Sequence, residues 1–134
     1  MELLHKNLSQ EILNAYYHVY NELGFGFLEK VYQNAMFFEL TLRGFEVEAQ
    51  KQIKVVYKDQ IVGDYFADLV VNNTIILELK ATEYIVEEHE AQLINYLRGT
   101  SIEVGLLLNF GKKPEFRRKV FENSRKGGYI DLNK

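Results

Sequence analysis

The chain has 134 residues, 47% of them hydrophobic, with nine Tyr, nine Phe, no Trp, no Cys and a net charge of -3. That length suits one domain with a core of its own, and the missing cysteines exclude disulfides, Cys-based zinc sites and a thiol nucleophile. The charged start MELLHKNLSQ has no signal-peptide core, and no apolar run nears the ~20 residues that span a bilayer, so a soluble, cytoplasmic protein is expected.

Residues 8–23 place Ile12, Ala15, Tyr16, Val19, Tyr20 and Leu23 at helical spacing, with Asn7 or Ser9 as cap and Gly24 as stop. A second helix is predicted from about Phe27 to Arg43, with an inward stripe of Leu28, Val31, Tyr32, Ala35, Met36 and Leu40, ending at Gly44. Period-two patterning then predicts strands over 45–50 and 53–57, a turn at 58–60, and strands over 61–71 and 74–80. Asn72-Asn73 marks the turn between the last two, because Asn tolerates positive φ. A third helix covers about 84–98, with Ala91, Ile94 and Leu97 facing inward and Gly99 at its end. The run Ile102–Leu108 reads as a strand covered on both faces and broken by Asn109-Phe-Gly111. Residues 115–121 fit a strand or a short helix. The order predicts a mixed α/β fold, a central mixed sheet flanked by helices, with strands 74–80 and 102–108 parallel through a right-handed crossover. One domain over 1–122 and a loosely held tail over 123–134 are expected.

Charge is unevenly placed. Residues 112–126 hold seven cations against two acids, a local +5, which leaves -8 on the rest. Such a segment can track a phosphate backbone, Lys112, Lys113, Arg117, Arg118 and Lys119 foremost; the plainer alternative is a solvated edge.

The stretch Asp68–Lys80 sets two acids and a lysine into an apolar hairpin, although charges are seldom buried unless paired or metal-bound. Glu78 and Lys80 share a face because they are two apart on one strand. A three-residue loop, 72–74, sets Asp68 opposite Glu78, whereas a two-residue loop sets it opposite Leu77. The longer loop, or a bulge that restores the face, is the expectation. Two carboxylates held together in a low dielectric repel, and a hard cation such as Mg²⁺ relieves that. With a lysine beside them they form a set suited to phosphodiester hydrolysis. The alternative is a structural ion pair between Lys80 and either acid.

Asp68, followed ten residues on by Glu78-x-Lys80, on a hairpin between helices resembles the PD-(D/E)xK nuclease superfamily, with its restriction-endonuclease-like fold. Gly26-Phe-Leu-Glu29-Lys-Val-Tyr32 resembles the signature of its GxxExxY branch, and Gln92-Leu-Ile-Asn-Tyr96 the QxxxY motif of recombination-type exonucleases. ExK and QxxxY are weak patterns alone, but the ordered set over residues 8–110 is specific. Ala67 stands where the motif name has proline.

The resemblance implies a Mg²⁺- or Mn²⁺-dependent nuclease acting on nucleic acid, DNA foremost. It implies Asp68, Glu78 and the Leu79 carbonyl as metal ligands, Glu29 as a further acid of that shell, and Lys80 as the catalytic lysine. Gln92 and Tyr96 are implied as backbone-contacting or site-supporting, with His89 one turn earlier and Gly26 and Tyr32 supporting the helical motif. A Tyr96 with its ring in the core and its hydroxyl satisfied is the plainer alternative. Tyr- and Phe-rich helices offer a face for a homodimer. The rival function is a binding module that keeps the fold without cleaving; a glycosidase leaves Lys80 and the basic segment without a task.

Overall fold

The structure is a computed structural model and describes residues 3–129 and 131–132. The outermost residues of the expected domain and tail, 1, 2, 133 and 134, lie outside the described residues, as does residue 130. Three helices and five strands follow in the order α1 (Lys6–Leu23), α2 (Glu29–Leu42), β1 (Val47–Tyr57), β2 (Gln60–Val71), β3 (Ile75–Lys80), α3 (Glu87–Arg98), β4 (Val104–Phe110) and β5 (Pro114–Val120). They build one mixed sheet, ordered β1-β2-β3-β4-β5, antiparallel except for the β3–β4 pair. The parallel pair and the covered strand are as expected, since all seven residues of β4 are buried.

Side-chain alternation sorts the sheet into two cores. Leu69, Val71, Ile75, Leu77, Leu79, Leu106 and Leu108 pack under α1 and α2 with Ile12, Tyr16, Tyr32 and Met36. Val70, Ile76 and Leu107 face the other way and pack under α3 with Leu93, Tyr96 and Leu97. The inward stripe of α3 is therefore not the expected one: Ala91 is exposed, and Leu93 and Tyr96 take the buried positions beside Leu97. Gly105 makes that contact close, for a Cβ there would stand 2.6 Å from Leu93 Cδ1.

Several expected boundaries move for identifiable reasons. The two strands expected over 45–57 are one, β1, which keeps the same register with β2 on both sides of Gln50. Gln50 takes φ 53°, so the strand kinks without ending. Asn109 does not break β4: it is fully buried within the strand, and its side chain both accepts from the Thr82 N–H and donates to the Thr82 carbonyl, each at 3.0 Å. The segment left open, 115–121, is strand β5. At α1 neither Asn7 nor Ser9 is the cap; His5 precedes the helix at φ 54° with no side-chain bond. In α2 Leu28 lies outside the helix and is 81% exposed, and Val31 is exposed as well, which narrows the expected stripe. Beyond β5, Asn123 and Lys126 bond to Ser101, Thr100, Ile102 and Glu103, and Leu132 bonds to Ser101. No helix among the described residues is long and apolar enough to cross a membrane.

Candidate active site

The β2–β3 turn decides which side chains meet. Asn72 and Asn73 both take φ 52°, and the Asn72 side chain accepts from the Glu46 N–H at 2.8 Å. The loop they make with Thr74 has three residues, and the pairs Val71–Ile75, Val70–Ile76 and Leu69–Leu77 follow. Continued by one step, that register sets Asp68 opposite Glu78, on the face toward α3. Here the ladder stops and the carboxylates replace it. Glu78 Oε2 accepts the Asp68 N–H, and Asp68 Oδ2 accepts the Leu79 N–H, each at 2.8 Å. Each acid thus caps a backbone donor of the opposite strand, which fixes both head groups without a salt bridge. Asp68 Oδ1 and Glu78 Oε1 lie outside these two bonds.

Burial makes the pair expensive. Glu78 is only 4% exposed, and desolvation, then the neighbouring Asp68 charge, pushes its carboxyl up to about 8. Desolvation also raises Asp68; the Leu79 N–H, the Lys80 charge and the Gln50 side chain pull it back. Lys80 shares the face, and among the described residues it makes no ion pair. The structural ion pair with either acid is therefore not formed.

The remaining predicted residues arrive from both sides of the sheet. Glu29 opens α2 as an exposed first-turn acid, near enough for its charge to act on Asp68, Glu78 and His89. Gly26 is not on the helix with it. It sits in the α1–α2 connection at φ 112°, a conformation that glycine alone adopts without strain. Tyr32 is buried, stacks on Phe110 at 4.1 Å between ring centres, and ties the connection down: its hydroxyl donates to the Gly24 carbonyl at 2.7 Å and accepts the Phe27 N–H at 3.2 Å. The Gly26 and Tyr32 positions thus shape the turn that delivers Glu29.

On α3, Tyr96 places its ring in the core, and its hydroxyl accepts from the Gln92 amide at 2.9 Å. Burial, followed by the Glu78 and Asp68 charges, raises that hydroxyl to about 12, so it remains protonated near neutrality. His89 accepts the Val86 N–H on Nδ1 at 3.3 Å; burial and the Lys80 charge lower its affinity for a proton. The five basic residues divide. Lys112 and Lys113 lie exposed in the β4–β5 turn, at the end of the sheet where Lys80 pairs with Asn109. Arg117 bridges to Glu115 at 3.3 Å, Lys119 to Glu90 at 2.6 Å, and Arg118 donates to the Leu4 carbonyl.

Two residues escaped the sequence reading. Gln50 sits across from Asp68 on β1, and its amide donates to Gln33 of α2 at 2.8 Å, which links the helix carrying Glu29 to the acid pair. Asn109 clamps Thr82 and with it the chain leaving Lys80. Asn109 carries no sequence signal beyond being polar in an apolar run, and Gln50, one polar residue in Glu48-Ala-Gln-Lys-Gln52, carries none.

The donor set fits a hard divalent ion. Among the described residues no three His, Cys, Asp or Glu side chains gather as a metal cluster. Mg²⁺ asks for less, since it keeps several waters and binds through one or two carboxylates plus a substrate phosphate. The acid pair, Glu78 buried and Asp68 half-buried, with no ion pair among the described residues, supplies those carboxylates.

No curated protein and no solved structure matches the chain. The family model described as PD-(D/E)XK nuclease superfamily matches residues 6–119. That span runs from the first residue of α1 into β5 and contains the acid pair, Lys80 and all three helices. The mixed five-stranded sheet flanked by helices is accordingly a restriction-endonuclease-like fold, and the chain belongs to the PD-(D/E)XK nuclease superfamily, whose members are generally nucleases.

Proposed function

We propose that this protein is a divalent-metal-dependent nuclease of the GxxExxY branch, hydrolysing phosphodiester bonds of nucleic acid, DNA foremost. The observation that carries the reading is the crossed pair of a half-buried Asp68 and a buried Glu78, without an ion pair among the described residues, and with Lys80 on the same face. A site that needed no cation would gain by losing one acid. The residues for the metal are Asp68, Glu78 and the Leu79 carbonyl, with Glu29 reaching it directly or through water. Mg²⁺ or Mn²⁺ bound there supplies a water of lowered pKa and polarises a phosphoryl oxygen.

The chain's own groups do the rest. The Asp68 and Leu79 N–H groups hold the carboxylates in place. Lys80 orients the attacking water by donating a hydrogen bond to its oxygen, and its charge offsets the negative charge that grows on the phosphoryl group. The water gives one proton to bulk solvent as its oxygen bonds to phosphorus, the P–O bond on the far side breaks, and the departing oxygen takes a proton from solvent. The Gln92 amide and the protonated Tyr96 hydroxyl line the pocket as donors, and Lys112 and Lys113 meet the phosphate backbone.

Incubation of the purified protein with single- and double-stranded DNA and RNA in Mn²⁺ tests this. Cleavage lost in Lys80→Ala and in Asp68→Asn is expected. If every substrate stays intact while Mn²⁺ titration shows no binding heat, the reading falls and the non-cleaving binding module replaces it.

A further inference from the structure

Beside the acid pair the surface opens into a groove of about 1190 Å³, above the usual 300–1,000 Å³ of small-molecule sites. The β1–β2 hairpin forms one wall, α3 the floor and the segment around Gly127–Tyr129 the other wall. Tyr57, Tyr65, Tyr96 and Tyr129 line it, and the Tyr65 and Tyr96 rings stand 5.8 Å apart. Lys54, Lys58 and Arg98 line it too, against Asp59 and Glu88. The lining also includes His89, Gln92 and Tyr96; Asp68, Glu78 and Lys80 do not line it, but the Lys80 charge reaches His89 and the charges of both acids reach Tyr96, which sets this end of the groove next to the site described above.

We infer that this groove holds single-stranded nucleic acid, its bases stacked on Tyr57, Tyr65 and Tyr129 and its phosphates near the lysines, and feeds that strand to the acid pair. The inference rests on the proposed nuclease reading and narrows its substrate. The chemistry favours one strand over two. A duplex buries the faces of its bases against one another, so an aromatic wall gains nothing from it, whereas unstacked bases offer a π-face to every ring. Tyr57 is 62% and Tyr129 44% exposed, so these two rings reach the groove without holding up the core. A peptide would use the same apolar walls but would leave the lysines and the continuity with the acid pair unexplained.

Fluorescence anisotropy with labelled dT12, rU12 and a 12-base-pair DNA duplex, all in chelator so that nothing is cut, measures the occupant. At least one single strand binds more tightly than the duplex. Tyr57→Ala and Tyr129→Ala each weaken that binding at least about fivefold, the low end of stacking on one aromatic ring. Lys58→Ala lowers the slope of log affinity against log salt by about 0.7. Equal or tighter duplex binding, no binding of either strand, or single-strand binding unchanged in both tyrosine variants overturns the inference. Hydrolysis of bis(p-nitrophenyl) phosphate in Mn²⁺ separates the two readings, because that diester is too small to need the groove. Activity lost in Lys80→Ala but kept in the tyrosine variants upholds the reacting centre whatever the anisotropy shows; activity absent throughout sinks the nuclease reading alone.

Discussion

Glu78 ties stability to pH through its neighbours. Its proton leaves near 4.5 when the chain is unfolded and near 8 when it is folded and metal-free. Between those values the folded state binds more protons, so the unfolding free energy falls as pH rises. Below about 4.5 both states are protonated and no penalty exists; above about 8 it is complete. Urea midpoints of metal-free protein should therefore be higher near pH 5 than near pH 8. Glu78→Gln should flatten that difference, and saturating Mn²⁺ should reduce it, because a cation that binds only the folded state stabilises it by mass action. Gln50 carries a second prediction. Its left-handed backbone costs roughly 1–2 kcal/mol for a residue with a Cβ, so the site retains strain beside Asp68. Gln50→Gly should leave stability unchanged or better by calorimetry, while Mn²⁺ affinity measured by titration drops several-fold as the link from Gln33 to the acid pair is lost. The acids were legible because their spacing, together with a three-residue loop, sets them opposite each other on one face; Gln50 was not, because no residue other than Gly or Asn advertises a positive φ.

The hairpin β2–β3 shows how an element can hold chemistry in its register. Deleting Ile76 from β3 while the three-residue loop is kept slides Glu78 opposite Leu69 and Leu79 opposite Asp68, which turns one acid to the α1–α2 side of the sheet. That variant should neither bind Mn²⁺ calorimetrically nor cleave, even where circular dichroism reports a folded sheet. The loop length followed from asking what spacing brings the acids together. The inward stripe of α3 and the end of β4 did not follow, because the Tyr96 ring packs into the core beside Leu93 and Leu97 and Asn109 finds its partner in Thr82, contacts that only the folded chain makes. Gly105 tests the packing of α3 on β4. Gly105→Ala drives a methyl into Leu93, costing about 1–3 kcal/mol by urea unfolding and moving Gln92 and Tyr96 off the acids.

Across the whole molecule the sequence pattern identified the layers and the parallel pair, since a helix between two apolar strands leaves few other topologies. It overstated the basic segment. Strand alternation sends Arg117 and Lys119 to Glu115 and Glu90 on one face and Arg118 to the Leu4 carbonyl on the other, which composition cannot reveal. Nucleic-acid affinity should therefore lose salt dependence in Lys112→Ala and Lys113→Ala, by about 0.7–0.9 in slope each. Arg118→Ala should chiefly lower the thermal midpoint. The crossed bonds at the acid pair have one more consequence. The amide protons of Asp68 and Leu79 point at the very carboxylates assigned to the ion, so their nuclear magnetic resonance frequencies and their exchange with deuterated solvent register any change of occupancy at that spot, substrate or no substrate.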